Sequence, residues 1–207
     1  FSRGSLTVAY SYDGEEFSSV KQTPLNNDKT LSFKYDETTD GYAVSKDPEN
    51  GEWVDKSTKL TFPDSFAGKP VTVIDQTIFS GCTKLKSISI PSGVVDLGND
   101  GNMFDNCPIE EASVSAKFIG RIPKARLKSV KIVGDYALGE YALSDCESLT
   151  SVELSEDISG IARNAFRGSD NLKYTEYGNA YYLGNTKNPY LALVTTKTDD
   201  VVPFVDI

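Results

Sequence analysis

The side chains that could do chemistry in this 207-residue chain are carboxylates, thiols and tyrosines. Histidine is absent, so no Ser–His–Asp triad, Cys–His pair or His-ligated zinc or haem site can be built. Glu110, Glu111, Glu153 and Glu176 fall at or near strand positions, and two carboxylates suffice for glycoside hydrolysis. Their spacing implies no pocket, and carboxylates on neighbouring strands are expected to form a solvated face. Cys82, Cys107 and Cys146 could in principle make a disulfide, a metal site or a nucleophile. Three is an odd number, so at least one cannot pair within the chain. Cys82 and Cys107 would sit on adjacent turns, where a bond is geometrically possible. All three occupy one position of a repeated block in which the last copy carries Ser169, as expected of small inward-facing residues and buried free thiols. Asn99, Asp100, Asn102, Asp105 and Asn106 bring oxygen ligands together without the spacing of a calcium loop, so a polar turn is expected. No catalytic, cofactor-binding or metal-ligating residue is assigned, and no cofactor is expected.

These residues must be positioned by a repeat. FSGCTKLKSISI from Phe79, FDNCPIEEASV from Phe104, LSDCESLTSVEL from Leu143 and FRGSDNLKYTEY from Phe166 share one pattern. A large apolar residue is followed three positions later by Cys or Ser, then by an ending of the form apolar–x–x–apolar–x–apolar. The endings are Leu85/Ile88/Ile90, Ile109/Ala112/Val114, Leu149/Val152/Leu154 and Leu172/Thr175/Tyr177. Leu127/Val130/Ile132 has the ending without the upstream block. The period is 23 residues from Ile74 to Leu97, Leu138 to Ile161 and Leu143 to Phe166. NDGNM stretches the step from Phe79 to Phe104 to 25 residues, and Val114 to Ile132 is only 18.

Alternation at each ending predicts a short strand with one buried side. The preceding block predicts one or two turns of α- or 3₁₀-helix. One such unit cannot bury its own apolar row, whereas stacked units bury it in a continuous core. The predicted class is an α/β solenoid with a parallel sheet along one face, flanked by β-hairpins.

The 23-residue period, the F-x-x-C block and connecting segments such as IPSGV resemble the BspA-like (Treponema pallidum type) leucine-rich repeats, over roughly residues 30–207. The resemblance implies a leucine-rich-repeat right-handed superhelix. It also implies a secreted or surface-attached bacterial protein, similar to adhesins that bind host or bacterial surface proteins.

Residues 1–59 lack the repeat and are expected to form a β-rich cap, with strands at LTVAYSY, TLSFKY and GYAVSK and a TTDG hairpin in which Gly41 takes a positive φ. Residues 1–25 belong either to this cap or to the end of a preceding domain. The array is placed at 60–177, in about five turns. Residues 178–207 are read as a hairpin around GNTKNP followed by the start of another repeat at Val201. Phe1 in place of Met fits a processed or excised piece, with any anchor outside it.

The net charge of −9 and pI near 4.6 argue against a nucleic-acid partner. No apolar run has the length of a membrane span. The basic stretch Arg121, Lys124, Arg126, Lys128 and Lys131 is read as a solvated face. The candidate partner-binding residues lie on the outward side of the strands: Glu111, Lys131, Glu153, Tyr174 and Glu176. Tyr177 is placed in the core and Tyr174 outside. The expected function is a non-catalytic, monomeric, extracellular module that binds a protein or glycan. The alternatives are a spacer in a larger surface protein and a carbohydrate-binding module attached to an enzyme.

Overall fold

The structure, a computed structural model, describes residues 20–22, 31–47 and 52–197. The expected strand at LTVAYSY and the expected repeat start at Val201 lie outside the described residues. Contacts divide the chain into two units, one of residues up to Leu85 with Gly93–Cys107, the other of Lys86–Ser92 with residues from Pro108 onward.

In the first unit, β1 (Val20–Gln22), β2 (Leu31–Asp36) and β3 (Gly41–Lys46) pair antiparallel in sequence order. Alternation turns Leu31, Phe33 and Val44 into the core. The positive φ of the hairpin belongs to Asp40 (50°) and not to Gly41. Aspartate tolerates this conformation, and the Asp40 carboxylate here accepts from the Tyr35 hydroxyl and Lys69. Gly41 is required for space instead: a Cβ there would sit 2.5 Å from Thr72 Oγ1 and 2.7 Å from the Pro70 carbonyl. The helix α1 (Glu52–Asp55) and the strand β4 (Lys59–Thr61) follow, then β5 (Ser65–Phe66) and β6 (Lys69–Ile74). β6 runs parallel to β3 and antiparallel to β5, and Phe33 stacks on Phe66 with ring centroids 4.2 Å apart. One 23-residue step is already present here as a parallel bridge between Val73 and Asp96.

The second unit holds four parallel strands in consecutive order: β7 (Ser87–Ser89), β8 (Glu111–Ser115), β9 (Ser129–Val133) and β10 (Ser151–Glu153). Ile88, Ala112, Val130 and Val152 lie opposite one another in register and are buried. A ladder of amides joins the strand starts. Glu110 N–H donates to Lys86 C=O (2.7 Å), Lys128 to Glu110 (2.7 Å), Thr150 to Lys128 (2.9 Å) and Lys173 to Thr150 (3.2 Å). The 18-residue coil keeps this register and buries Phe118, Ile119 and Ile122 where other coils place the F-x-x-C block. The remaining strands, β11 (Thr175–Tyr177), β12 (Ala180–Leu183) and β13 (Ala192–Thr196), form a separate antiparallel sheet.

Of the expected α- or 3₁₀-helical connectors, the 3₁₀ form is present in places and the α-helical form is replaced by turns. Among the described residues α-helix is confined to α1, and the connectors are turns plus 3₁₀ segments at Gln76–Phe79 and Ile119–Arg121. The cause is local. Gly81, Asp145 and Gly168, each just before the Cys or Ser of its block, have φ of 87°, 55° and 74°, which stops a right-handed helix. The Phe79 and Phe166 blocks close instead by two successive three-residue turns, in the first Cys82 N–H to Phe79 C=O (3.2 Å) and Leu85 N–H to Cys82 C=O (3.0 Å).

The Cys or Ser position points inward, and in three of the four blocks it reaches the coil before it, whereas Cys146 donates to Ser144 C=O of its own coil. Cys82 Sγ lies 3.7 Å from the Val54 carbonyl and Cys107 Sγ 3.7 Å from the Phe79 carbonyl, while Ser169 Oγ donates to Leu143 C=O at 2.7 Å. Ser169 Oγ also accepts from Cys146 N–H at 3.0 Å. In the first unit Phe79 packs on Phe104 with ring centroids 4.3 Å apart. The three cysteines are buried thiols outside any disulfide, and burial pushes the Cys107 thiol up to about 11.

Ser169→Ala strands a buried carbonyl and a buried amide, and is expected to cost about 1–3 kcal/mol in urea denaturation, whereas Ser169→Cys retains a small donor and loses less. In a thiol-titration assay the native chain is expected to leave all three cysteines unmodified, and the denatured chain to react fully.

Candidate interaction surface

The strand register fixes which outward side chains meet. Ser87, Glu111, Ser129 and Ser151 form one row across the sheet, and Ser89, Ser113, Lys131 and Glu153 form the next. All are exposed or half-buried. Lys131 Nζ donates to Glu153 Oε1 at 2.7 Å. A step before the strands, Glu110 lies between Lys86 (3.1 Å) and Lys128 (2.7 Å). The hydrogen bonds from Lys128 and then Lys86 hold its carboxyl below the usual carboxylate value. The basic stretch is thus engaged in the fold. Lys128 and Lys131 are paired, Lys124 Nζ donates to the carbonyls of Tyr141 and Ser144 (each 3.0 Å), and Arg121 lies 5.7 Å from the Phe118 ring.

At the carboxyl ends of β9 and β10 a polar groove of about 450 Å³ opens beside these rows. Its lining includes Ser92, Lys131, Glu153, Glu156, Asn185 and Lys187. The wall from the β12–β13 loop is held in place by Asn185. Its Nδ2 donates to Leu154 C=O at 3.2 Å, while its Oδ1 accepts from the amides of Lys187 and Asn188, both at 2.9 Å.

Of the five sequence candidates, Glu111, Lys131 and Glu153 share the parallel face. Tyr174 and Glu176 stand on the antiparallel sheet, because β11 pairs with β12 and not with β10. Tyr174 is half-buried, and desolvation followed by the charge of Asp170 raises its hydroxyl above the ordinary tyrosine value. The core placement of Tyr177 is corrected: it is 49% exposed. A two-residue hairpin, Gly178 (φ 57°) and Asn179, reverses the chain before Tyr177 can enter the stack. Gly-Asn is itself a hairpin signal, and here it prevails over the repeat pattern. The sequence marks Tyr181 as one of a group of tyrosines here but gives no sign of Lys197, and the proximity of both to Tyr174 and Glu176 follows only from the hairpin register.

In the NDGNM insert and just before it the acidic oxygens serve their own loop. Asp96 accepts from Gly98 N–H (2.7 Å) and Asp100 from Asn102 N–H (2.9 Å). Among the described residues no group of three or more Cys, Asp or Glu is placed to hold a metal ion, and no helix is long and apolar enough to cross a membrane.

The repeating block, its buried Cys or Ser and the 23-residue bridges agree with the comparison to known families. The sequence matches the BspA type leucine rich repeat region in six copies over residues 54–173, more than half of the chain. The chain belongs to the BspA type leucine-rich-repeat family. The matched span takes in Val54 and Ser57, which repeat the block's turn through a hydrogen bond from Ser57 N–H to Val54 C=O at 3.1 Å.

Two solved structures are similar to this chain. One is the crystal structure of the T. pallidum leucine rich repeat protein, 22% identical, covering 73% of this chain and 69% of that one, with a TM-score of 0.43. The other is a leucine rich cell surface protein from Faecalibacterium prausnitzii A2-165, 18% identical, covering 83% of this chain and 60% of that one, with a TM-score of 0.34. No curated protein matches the chain.

The Glu110 arrangement has a defined pH signature. Its lowered folded-state value makes its stabilisation complete above the ordinary glutamate value of 4.5 and lost as pH falls through the folded value. Glu110→Gln is therefore expected to lower the urea midpoint slightly at neutral pH, with the difference closing on acidification below that window and shrinking in high salt.

Proposed function

We propose that this chain is a non-catalytic, bacterial surface-exposed or secreted module that binds an extracellular protein through the outward face of β7–β10, with Glu111, Lys131 and Glu153 as contact residues. The observation that carries the reading is the two in-register rows of small and charged side chains, a continuous polar surface laid on a rigid parallel sheet. Leucine-rich repeats generally serve as interaction modules, and stacked repeats present extended faces to partners. In this reading the coils wind as a right-handed solenoid and the chain acts as a monomer.

The face is polar and nearly balanced in charge, with Glu111, Lys131 and Glu153 among serines. Such a surface suits a modest, salt-sensitive contact that gains from multivalency more than from apolar burial. The mutual satisfaction of Lys131 and Glu153 also favours a second reading, a spacer whose surface charges only solvate the array.

A surface-binding screen of the purified chain against immobilised extracellular-matrix proteins separates the two. The binding reading expects at least one saturable partner. It also expects exchange of the pair, Lys131→Glu with Glu153→Lys, to weaken that partner by about tenfold while leaving the denaturation midpoint unchanged. A partner unaffected by the exchange, or no partner at all, returns the array to the spacer reading.

A further inference from the structure

The antiparallel sheet β11–β13 gathers an aromatic and charged cluster on one of its faces. Glu176 pairs with Tyr181, and Tyr181 with Thr195, so these three side chains lie side by side across the sheet. Tyr174 adds a second ring, with centroids 5.7 Å from Tyr181. Lys197 closes the other side, its Nζ 5.2 Å from the Tyr181 centroid and bonded to the Glu176 carboxylate. Both rings are half-buried, while Glu176, Thr195 and Lys197 are exposed. The opposite face is different. There Tyr177 leans on Tyr190, and Tyr190 on Tyr182, which is buried.

We propose that Tyr174, Glu176, Tyr181, Thr195 and Lys197 form a binding site for a pyranose ring of a neutral glycan. Each part of the cluster answers one part of such a ligand. The axial C–H face of a pyranose is apolar and slightly positive, and it is attracted to the negative face of a tyrosine ring. Its rim is a belt of hydroxyls, each both donor and acceptor. A carboxylate, an ammonium and a threonine hydroxyl beside the rings offer the matching acceptor and donors. The Lys197–Glu176 pair is solvent-exposed and hence weak, so it can rearrange around hydroxyls at small cost. A purely apolar partner would leave both charges desolvated against it. The site is shallow and holds few groups, so its affinity for a single chain is low and repetition on a surface would raise it.

The test is isothermal titration of the chain with neutral hexasaccharides of glucose, mannose, galactose and N-acetylglucosamine. At least one is expected to bind with a Kd on the order of millimolar. Tyr181→Ala is expected to weaken it at least about tenfold and Glu176→Gln about threefold, while Tyr177→Ala on the opposite face leaves it unchanged. Denaturation midpoints check folding. If Tyr181→Ala disturbs the sheet, the exposed Glu176→Gln and Thr195→Val substitutions carry the comparison. Absence of binding by every sugar overturns the assignment, as does equal loss in Tyr177→Ala or binding that survives Tyr181→Ala. Capture of a protein through these residues without sugar binding also overturns it. None of these outcomes touches the strand-face reading, whose residues Glu111, Lys131 and Glu153 lie on the other sheet.

Discussion

Each coil of the array carries polar backbone groups that another coil must satisfy. The carbonyl of the large apolar residue opening a block faces the interior, where an unpaired acceptor costs about 1–3 kcal/mol. A side chain one coil later reaches it: the Cys82 and Cys107 thiols beside an amide of the block's own turn, and the Ser169 hydroxyl at Leu143. The residue there is small and inward-pointing, which limits it to a short set of side chains. At the strand starts the same dependence runs through amides, from Lys86 through Glu110, Lys128 and Thr150 to Lys173. Coils therefore stabilise one another in nearest-neighbour fashion, and surface features such as the Ser89–Ser113–Lys131–Glu153 row inherit their spacing from this internal stitching.

Where the sequence pattern and this stitching coincide, structure is readable in advance. Leu138 and Ile161, 23 residues apart, meet as a parallel bridge, and the endings built on Ile88, Ala112, Val130 and Val152 become aligned core positions. Cys82, Cys107 and Cys146 are buried thiols because their position is defined by packing and not by redox chemistry. The connectors were harder to read. Their apolar spacing fits a helical turn, yet one left-handed residue ahead of the Cys or Ser converts them to turns, and that conformation shows in sequence only at Gly81 and Gly168.

The surface was legible in part. Glu111, Lys131 and Glu153 follow from strand alternation alone, since residues flanking a buried strand position face outward. Tyr174 and Glu176 did not follow, because extending the repeat through YTEY ignores the competing hairpin at Gly178–Asn179. Leu172 still obeys the pattern and is buried, so the two descriptions diverge only at β11. Tyr181 and Lys197 come from segments with no repeat relation to Glu176, and only the antiparallel register brings them together.

The turning of β11 away from β10 also governs how copies of this chain behave at high density. A parallel stack is open to growth at its last strand, and two molecules with free strands can fuse coil upon coil. Here the amide of Leu154 is taken by the Gly184 carbonyl at 2.9 Å and the Leu154 carbonyl by the Asn185 side chain. A foreign strand would have to displace both before it could join. The occupied edge disfavours strand-by-strand fusion of one molecule with the next.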